Sequence, residues 1–163
     1  MFKKRLEIVF VVIVFLSILV LVKNYYDDYN FKNNPIPDEY KKLILLKEQE
    51  VLQNMRTSYG YSFKVPLIIT DKFKNKLYGI TSYKNGSIKI YLNKNVMKES
   101  MDYMLDSVIA HEYAHALMFK QGHLHVKNDG HSKEWTNTCI KLGGINCEQY
   151  VNVQEVVMGK MPF

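Results

Sequence analysis

The chain is poor in cysteine. Cys139 and Cys147 are the only two in 163 residues, which excludes a cysteine-dense secreted miniprotein and a four-cysteine zinc ribbon. Internal repeats and low-complexity tracts are absent, so solenoids and repetitive polymers are excluded. The charge excess and low hydrophobicity of a disordered chain are missing too, since 47% of residues are hydrophobic and 23% charged. At 163 residues the chain is long enough for one compact domain with a core of its own. It carries twelve tyrosines, which assign no chemistry by themselves.

The formal net charge is +6, and its distribution matters more than its sum. Lys3, Lys4 and Arg5 stand against Glu7 at the start, and 19 basic and 15 acidic residues follow from Lys23 onward. A nucleic-acid interface would show basic residues clustered with aromatics on one face. The densest cluster, Lys72-Phe73-Lys74-Asn75-Lys76, is short and reads as a loop. The excess positive charge is therefore read as a solvated lysine-rich surface, and nucleic acid is not expected as a partner.

From Ile8 to Val22 the sequence is IVFVVIVFLSILVLV, with Ser17 its one polar residue. With Leu6 included the stretch spans about 25 Å as a helix, the short end of what crosses a bilayer. Such a run shows no polar face, unlike a helix that packs in a globular core. Basic residues precede it, while Lys23, Asp27 and Asp28 follow. The positive-inside bias places the N-terminus in the cytoplasm and the rest outside. A cleaved signal peptide is the rival, but Lys23-Asn24-Tyr25-Tyr26 offers no small-residue cleavage site. Residues 1–23 are thus expected to be a membrane anchor, residues 24–37 a linker containing Pro35 and Pro37, and residues 38–163 the functional domain.

In that domain Asp38-Glu39 opens a helix to about Arg56, with Leu43, Leu46, Val51 and Met55 at helical spacing and Gly60 beyond its end. Val65–Thr70, Leu77–Tyr83 and Ser87–Leu92 are strand candidates. Asn85-Gly86 between the last two is a hairpin signal, because both residues accept positive φ. A long helix is expected from Ser100 to Lys120, stopped by Gly122, then a loop from His123 to Gly130. A last helix runs from Ser132 to Leu142 before Gly143-Gly144.

The long helix contains HEYAH, residues 111–115. His111 and His115, four apart, lie on one helical face and can converge on one divalent ion. Glu112 points about 100° round the helix, where a carboxylate can take a proton from water activated at the metal. By itself the pattern fixes three positions and matches by chance. The amphipathic helix around it and a downstream histidine strengthen it. A catalytic site needs a third protein ligand and an open fourth position. His123, His125, His131 and Glu134 are candidates. His131 is preferred, because Gly130 precedes it and the following helix, anchored by Trp135, fixes its backbone.

HEYAHALMF, a loop, DGHSKEW and a helix ending in Gly-Gly together resemble the SprT-like family of zinc metallopeptidases, over roughly Glu39 to Ile145. Tyr78-Gly79 and the stretch Asn85 to Asn93 resemble the strands before that family's active-site helix. The resemblance implies an α+β, zincin-like domain with a small antiparallel sheet packed on the HExxH helix. It implies Zn2+ held by His111, His115 and His131, with Glu112 as general base. Ser132 stands where the family usually has glycine, and no C-terminal four-cysteine ribbon follows. The family's best-known members cut proteins crosslinked to DNA inside cells. An exporting anchor does not fit that role, so a protein or peptide substrate is expected instead.

The expected activity is zinc-dependent peptide hydrolysis, with Ser87–Leu92 pairing with an extended substrate and Tyr83, Tyr91 or His125 as a second electrophile. The alternatives are a catalytically silent zinc-binding module, against which the retained Glu112 argues, and a DNA-associated protease. Cys139 and Cys147 would form a disulfide outside the cell or remain thiols inside it.

Overall fold

A computed structural model describes residues 2–73, 77–123 and 130–148. The chain divides into two compact units, Met1–Ile36 and Pro37–Phe163. The first is helix α1, Phe2–Asn33, with no buried residue. It is long and apolar enough to cross a membrane. Its one hydroxyl in the apolar run is satisfied within the helix, Ser17 Oγ donating to the Ile13 carbonyl at 2.8 Å. Residues 24–33, expected to begin a linker, continue the helix, and only residues 34–37 are non-helical. Nothing between Lys23 and Asn33 breaks a helix, whereas Pro35 disfavours helical backbone at Asn34.

The second unit is α+β. Its elements are α2 (Asp38–Tyr59), β1 (Leu67–Thr70), β2 (Gly79–Lys84), β3 (Ser87–Asn93), α3 (Lys94–Met97), α4 (Met101–Tyr103), a π-helical turn (Met104–Val108), α5 (Ile109–Lys120) and α6 (Lys133–Lys141). Asp38 and Glu39 favour the positive start of α2. Gly60 closes it by donating its N–H to the Arg56 carbonyl. The buried stripe of α2 is Ile44, Glu48, Val51 and Met55, one residue out of phase with the expected stripe at its start; Leu46 is half exposed. Glu48 tolerates burial because both oxygens are satisfied. The Tyr113 hydroxyl donates to Oε1 at 2.6 Å, and Lys64 Nζ lies 2.8 Å from Oε2. Tyr59 to Thr138 and Asn54 to the Leu142 carbonyl join α2 to α6.

Asn85 and Gly86 form the expected hairpin turn, with φ of 51° and 77°. It sets the antiparallel pairing of β2 with β3, Lys84 opposite Ser87 through Gly79 opposite Leu92. The sheet as a whole is not antiparallel. Its order is β1-β3-β2, and β1 pairs parallel to β3, Leu67 with Ile90 through Thr70 with Asn93. The chain leaving β1 skips one strand position, and the hairpin returns β3 into that gap. This corrects two expectations. The sheet is mixed, and β3 is its central strand with both edges used, so β3 cannot accept a substrate strand.

Ile90 and Leu92 are fully buried, and their cross-strand partners Thr81 and Gly79 share their face. Helix α5 packs against β2, β3, α2 and α6. Ala110, Ala114 and Ala116, all fully buried, let these elements approach closely. The long helix expected from Ser100 to Lys120 changes hydrogen-bonding pattern within it, since Met104–Val108 is π-helical. Such turns widen a helix by one residue and recur near functional sites. The segment after α6 is held by a Cys139–Cys147 disulfide, Cα–Cα 5.9 Å. The Ile145 N–H also bonds the Asp106 carbonyl.

Candidate metal centre

His111 and His115 project from α5 one turn apart. His131 arrives from the segment just before α6. Ser132 caps that helix by accepting a hydrogen bond from the Trp135 N–H at 3.2 Å. Capping stops the helix at a defined residue, which places the histidine immediately before it. Gly130 has a φ of 89°, and a β-carbon there would come within 3.2 Å of His115 Cε1. The glycine therefore serves both the left-handed backbone and the close approach of the two chain segments. Trp135 is fully buried and forms the floor. Its ring lies 4.5, 5.0 and 4.4 Å from those of His111, His115 and His131.

The three Nε2 atoms form a nearly equilateral triangle with edges of 3.3, 3.2 and 3.2 Å. Hydrogen bonds alone cannot satisfy it. A neutral ring nitrogen carries either a proton or a lone pair, so one that donates cannot also accept. Three converging lone pairs are satisfied together by a cation. Tetrahedral ligands at the usual zinc–nitrogen distance stand about 3.3–3.4 Å apart, so the donor set fits such an ion. Burial, then the neighbouring His131 imidazole, pushes His111 down to about 3. Burial, then the other two imidazoles, does the same for His115. Both rings are therefore neutral near pH 7, the form that ligates a metal.

Glu112 is buried beside the triangle. Its Oε2 lies 2.7 Å from Thr81 Oγ1. Burial pushes the carboxyl up to about 7, against the lowering effect of the Thr81 hydrogen bond. A carboxyl so placed can take up and release a proton near neutrality. A cavity of about 70 Å³ adjoins His111 and Glu112, with Tyr78, Tyr103, Val108 and Glu148 among its walls.

The other sequence candidates stand elsewhere. Glu134 is largely exposed and lies 3.8 Å from His123, so these two face each other and not the triangle. Tyr91 pairs with Ile80 on the sheet face turned away from Glu112. Tyr83 packs against Phe119, ring centroids 5.8 Å apart. His125 lies outside the described residues. Sequence reasoning missed Thr81 and Gly79. The one signal for them was their spacing of two, which puts them on a single face of a strand.

The sequence model of the SprT-like family matches residues 43–155. No curated protein and no solved structure matches the chain.

Proposed function

Because this chain belongs to the SprT-like family, we propose that it is a membrane-anchored zinc metallopeptidase of zincin-like build. One observation carries the reading: three histidine Nε2 atoms meet within 3.3 Å of one another, and the next residue after the first of them is a buried glutamate. His111, His115 and His131 would hold the ion. When bound, zinc supplies Lewis acidity that polarises a carbonyl and lowers the pKa of water toward about 7.

The chain's own residues do the rest. Glu112 accepts the proton of the attacking water at its carboxylate and delivers it to the leaving amine. Trp135 packs against all three imidazoles and keeps water from their rear. Strand β2 is the edge of the sheet on the side away from β1, so it, and not β3, is the strand that an extended peptide would join.

Helix α1 is the anchor, with Lys3, Lys4 and Arg5 on the cytoplasmic side and the peptidase domain outside. The Cys139–Cys147 disulfide supports that orientation, because such bonds persist in oxidising compartments.

The test uses the full chain in detergent, reconstituted with zinc and given a peptide library. Cleavage is expected with zinc and none after chelation. Glu112→Gln should keep one metal per chain and lose about 100-fold or more of the rate. A glutamine variant that cleaves at the wild-type rate would overturn the role given to Glu112. Metal binding without any cleavage by the wild type would mark a silent metal-binding module.

A further inference from the structure

We infer that Thr81 and Gly79 of β2 are positioning residues that hold the Glu112 carboxylate in its working place, an inference that rests on the proposed role of Glu112. A glutamate side chain has several rotatable bonds, and fixing them costs rotamer entropy. Here two features of the strand fix them.

The first is a hydroxyl. Thr81 Oγ1 lies 2.7 Å from Glu112 Oε2 and 2.8 Å from the main-chain oxygen of the same residue. The hydroxyl has one proton and donates to one of these two oxygens at a time, so Thr81 holds the tip of Glu112 close to its own backbone across two elements. Threonine suits this task, since its branched β-carbon leaves χ1 stiff and the hydroxyl does not wander.

The second feature is a missing side chain. A β-carbon on Gly79 would stand 2.7 Å from Glu112 Oε1, 2.9 Å from Cγ and 3.0 Å from Cδ. The Glu112 side chain thus lies close over the glycine backbone. Gly79 is not among the glycines of positive φ, so no turn demands it. Close approach by Glu112 is the physical reason for a glycine here. Because Gly79 and Thr81 are two apart on one strand, they share the face toward α5 and act on the same carboxylate.

The experiment compares Thr81→Val, Thr81→Ser and Gly79→Ala in the full chain, in detergent with zinc. Valine keeps the branched shape and removes the hydroxyl, whereas serine keeps the hydroxyl. Misplacement of a reacting group by about 1 Å costs on the order of 100-fold in rate. Thr81→Val and Gly79→Ala should therefore lower kcat about 10- to 100-fold, with KM and bound zinc unchanged. Thr81→Ser should recover most of the loss. A Thr81→Val enzyme with wild-type kcat would overturn the inference, as would a serine variant no better than valine.

A readout independent of turnover separates this from the proposed function. In the thermal unfolding of Thr81→Val, Glu112→Ala and the double variant, the shifts in Tm should fail to add by about 2–5 °C. Additive shifts would show that the two side chains do not act together, whether or not the protein cleaves peptides.

Discussion

Helices α1 and α5 are both apolar, yet their surfaces meet different surroundings. No residue of α1 is buried, whereas eight of the twelve residues of α5 are buried. Residue size accounts for part of the difference. Between Ile8 and Val22, α1 carries only branched or aromatic side chains besides Ser17, so no side of it offers a flat face. Helix α5 has Ala110, Ala114 and Ala116, all fully buried. Polar groups differ in the same way. Ser17 bonds within its own helix. In α5, Glu112 finds a partner on β2, and His111 and His115 converge with His131 from the segment before α6. Apolarity therefore does not decide burial; close approach by other elements does.

The comparison can be broken most severely by charging α1. Phe15→Arg puts a cation at the middle of the apolar run, at a cost of about 3 kcal/mol for insertion. The protein should shift from the membrane to the soluble fraction of a fractionated expression host. Zinc content and peptide cleavage should remain, because His111, Glu112, His115 and His131 all lie in the second unit. Loss of both together would show that the two regions are not separable.

Giving α5 the bulk that α1 has should hurt less, but in the opposite region. Ala114→Leu adds volume at a fully buried position, and overpacking there should destabilise the domain by about 1–3 kcal/mol. Chemical denaturation would read that loss, and membrane partition should not move.

The smallest effect separates the regions by pH. From Ile8 to Val22 nothing titrates, so the dependence resides in α5. In the metal-free protein His111 and His115 lie at about 3, below their usual 6.5. Their contribution is present above pH 6.5 and lost as pH falls from there toward 3. Glu112 lies at about 7, above its usual 4.5. Its contribution is present below pH 4.5 and lost as pH rises toward 7. Between 4.5 and 6.5 two histidines oppose one glutamate, so stability should still rise with pH. Glu112→Gln should make that rise steeper; an unchanged slope in denaturant titrations would refute the assignment.

Much of this was legible in the linear chain because the causes are local. The apolar run of α1 needs no partner to be recognised. The Asn85-Gly86 turn depends on two residues that tolerate positive φ. The pair His111 and His115 follows from helical periodicity, and capping by Ser132 from its place before Lys133. What failed was nonlocal. Leu46 has an apolar side chain at helical spacing, yet Glu48 is the buried residue, because Tyr113 and Lys64 arrive from distant positions to satisfy it.

By itself the sequence determined the helices that begin at Asp38 and Lys133 and the one that carries His111, where the hairpin turns, that one run is uniformly apolar and which histidines share a helical face. Those features arise from backbone propensity and side-chain spacing over a few residues. Only the tertiary structure decided that β1 runs parallel to β3, how closely the preferred His131 approaches the other two imidazoles and that Glu112 lies over Gly79 beneath the Thr81 hydroxyl. Such contacts form when packing brings together segments far apart along the chain, and no short-range rule encodes the distance between them.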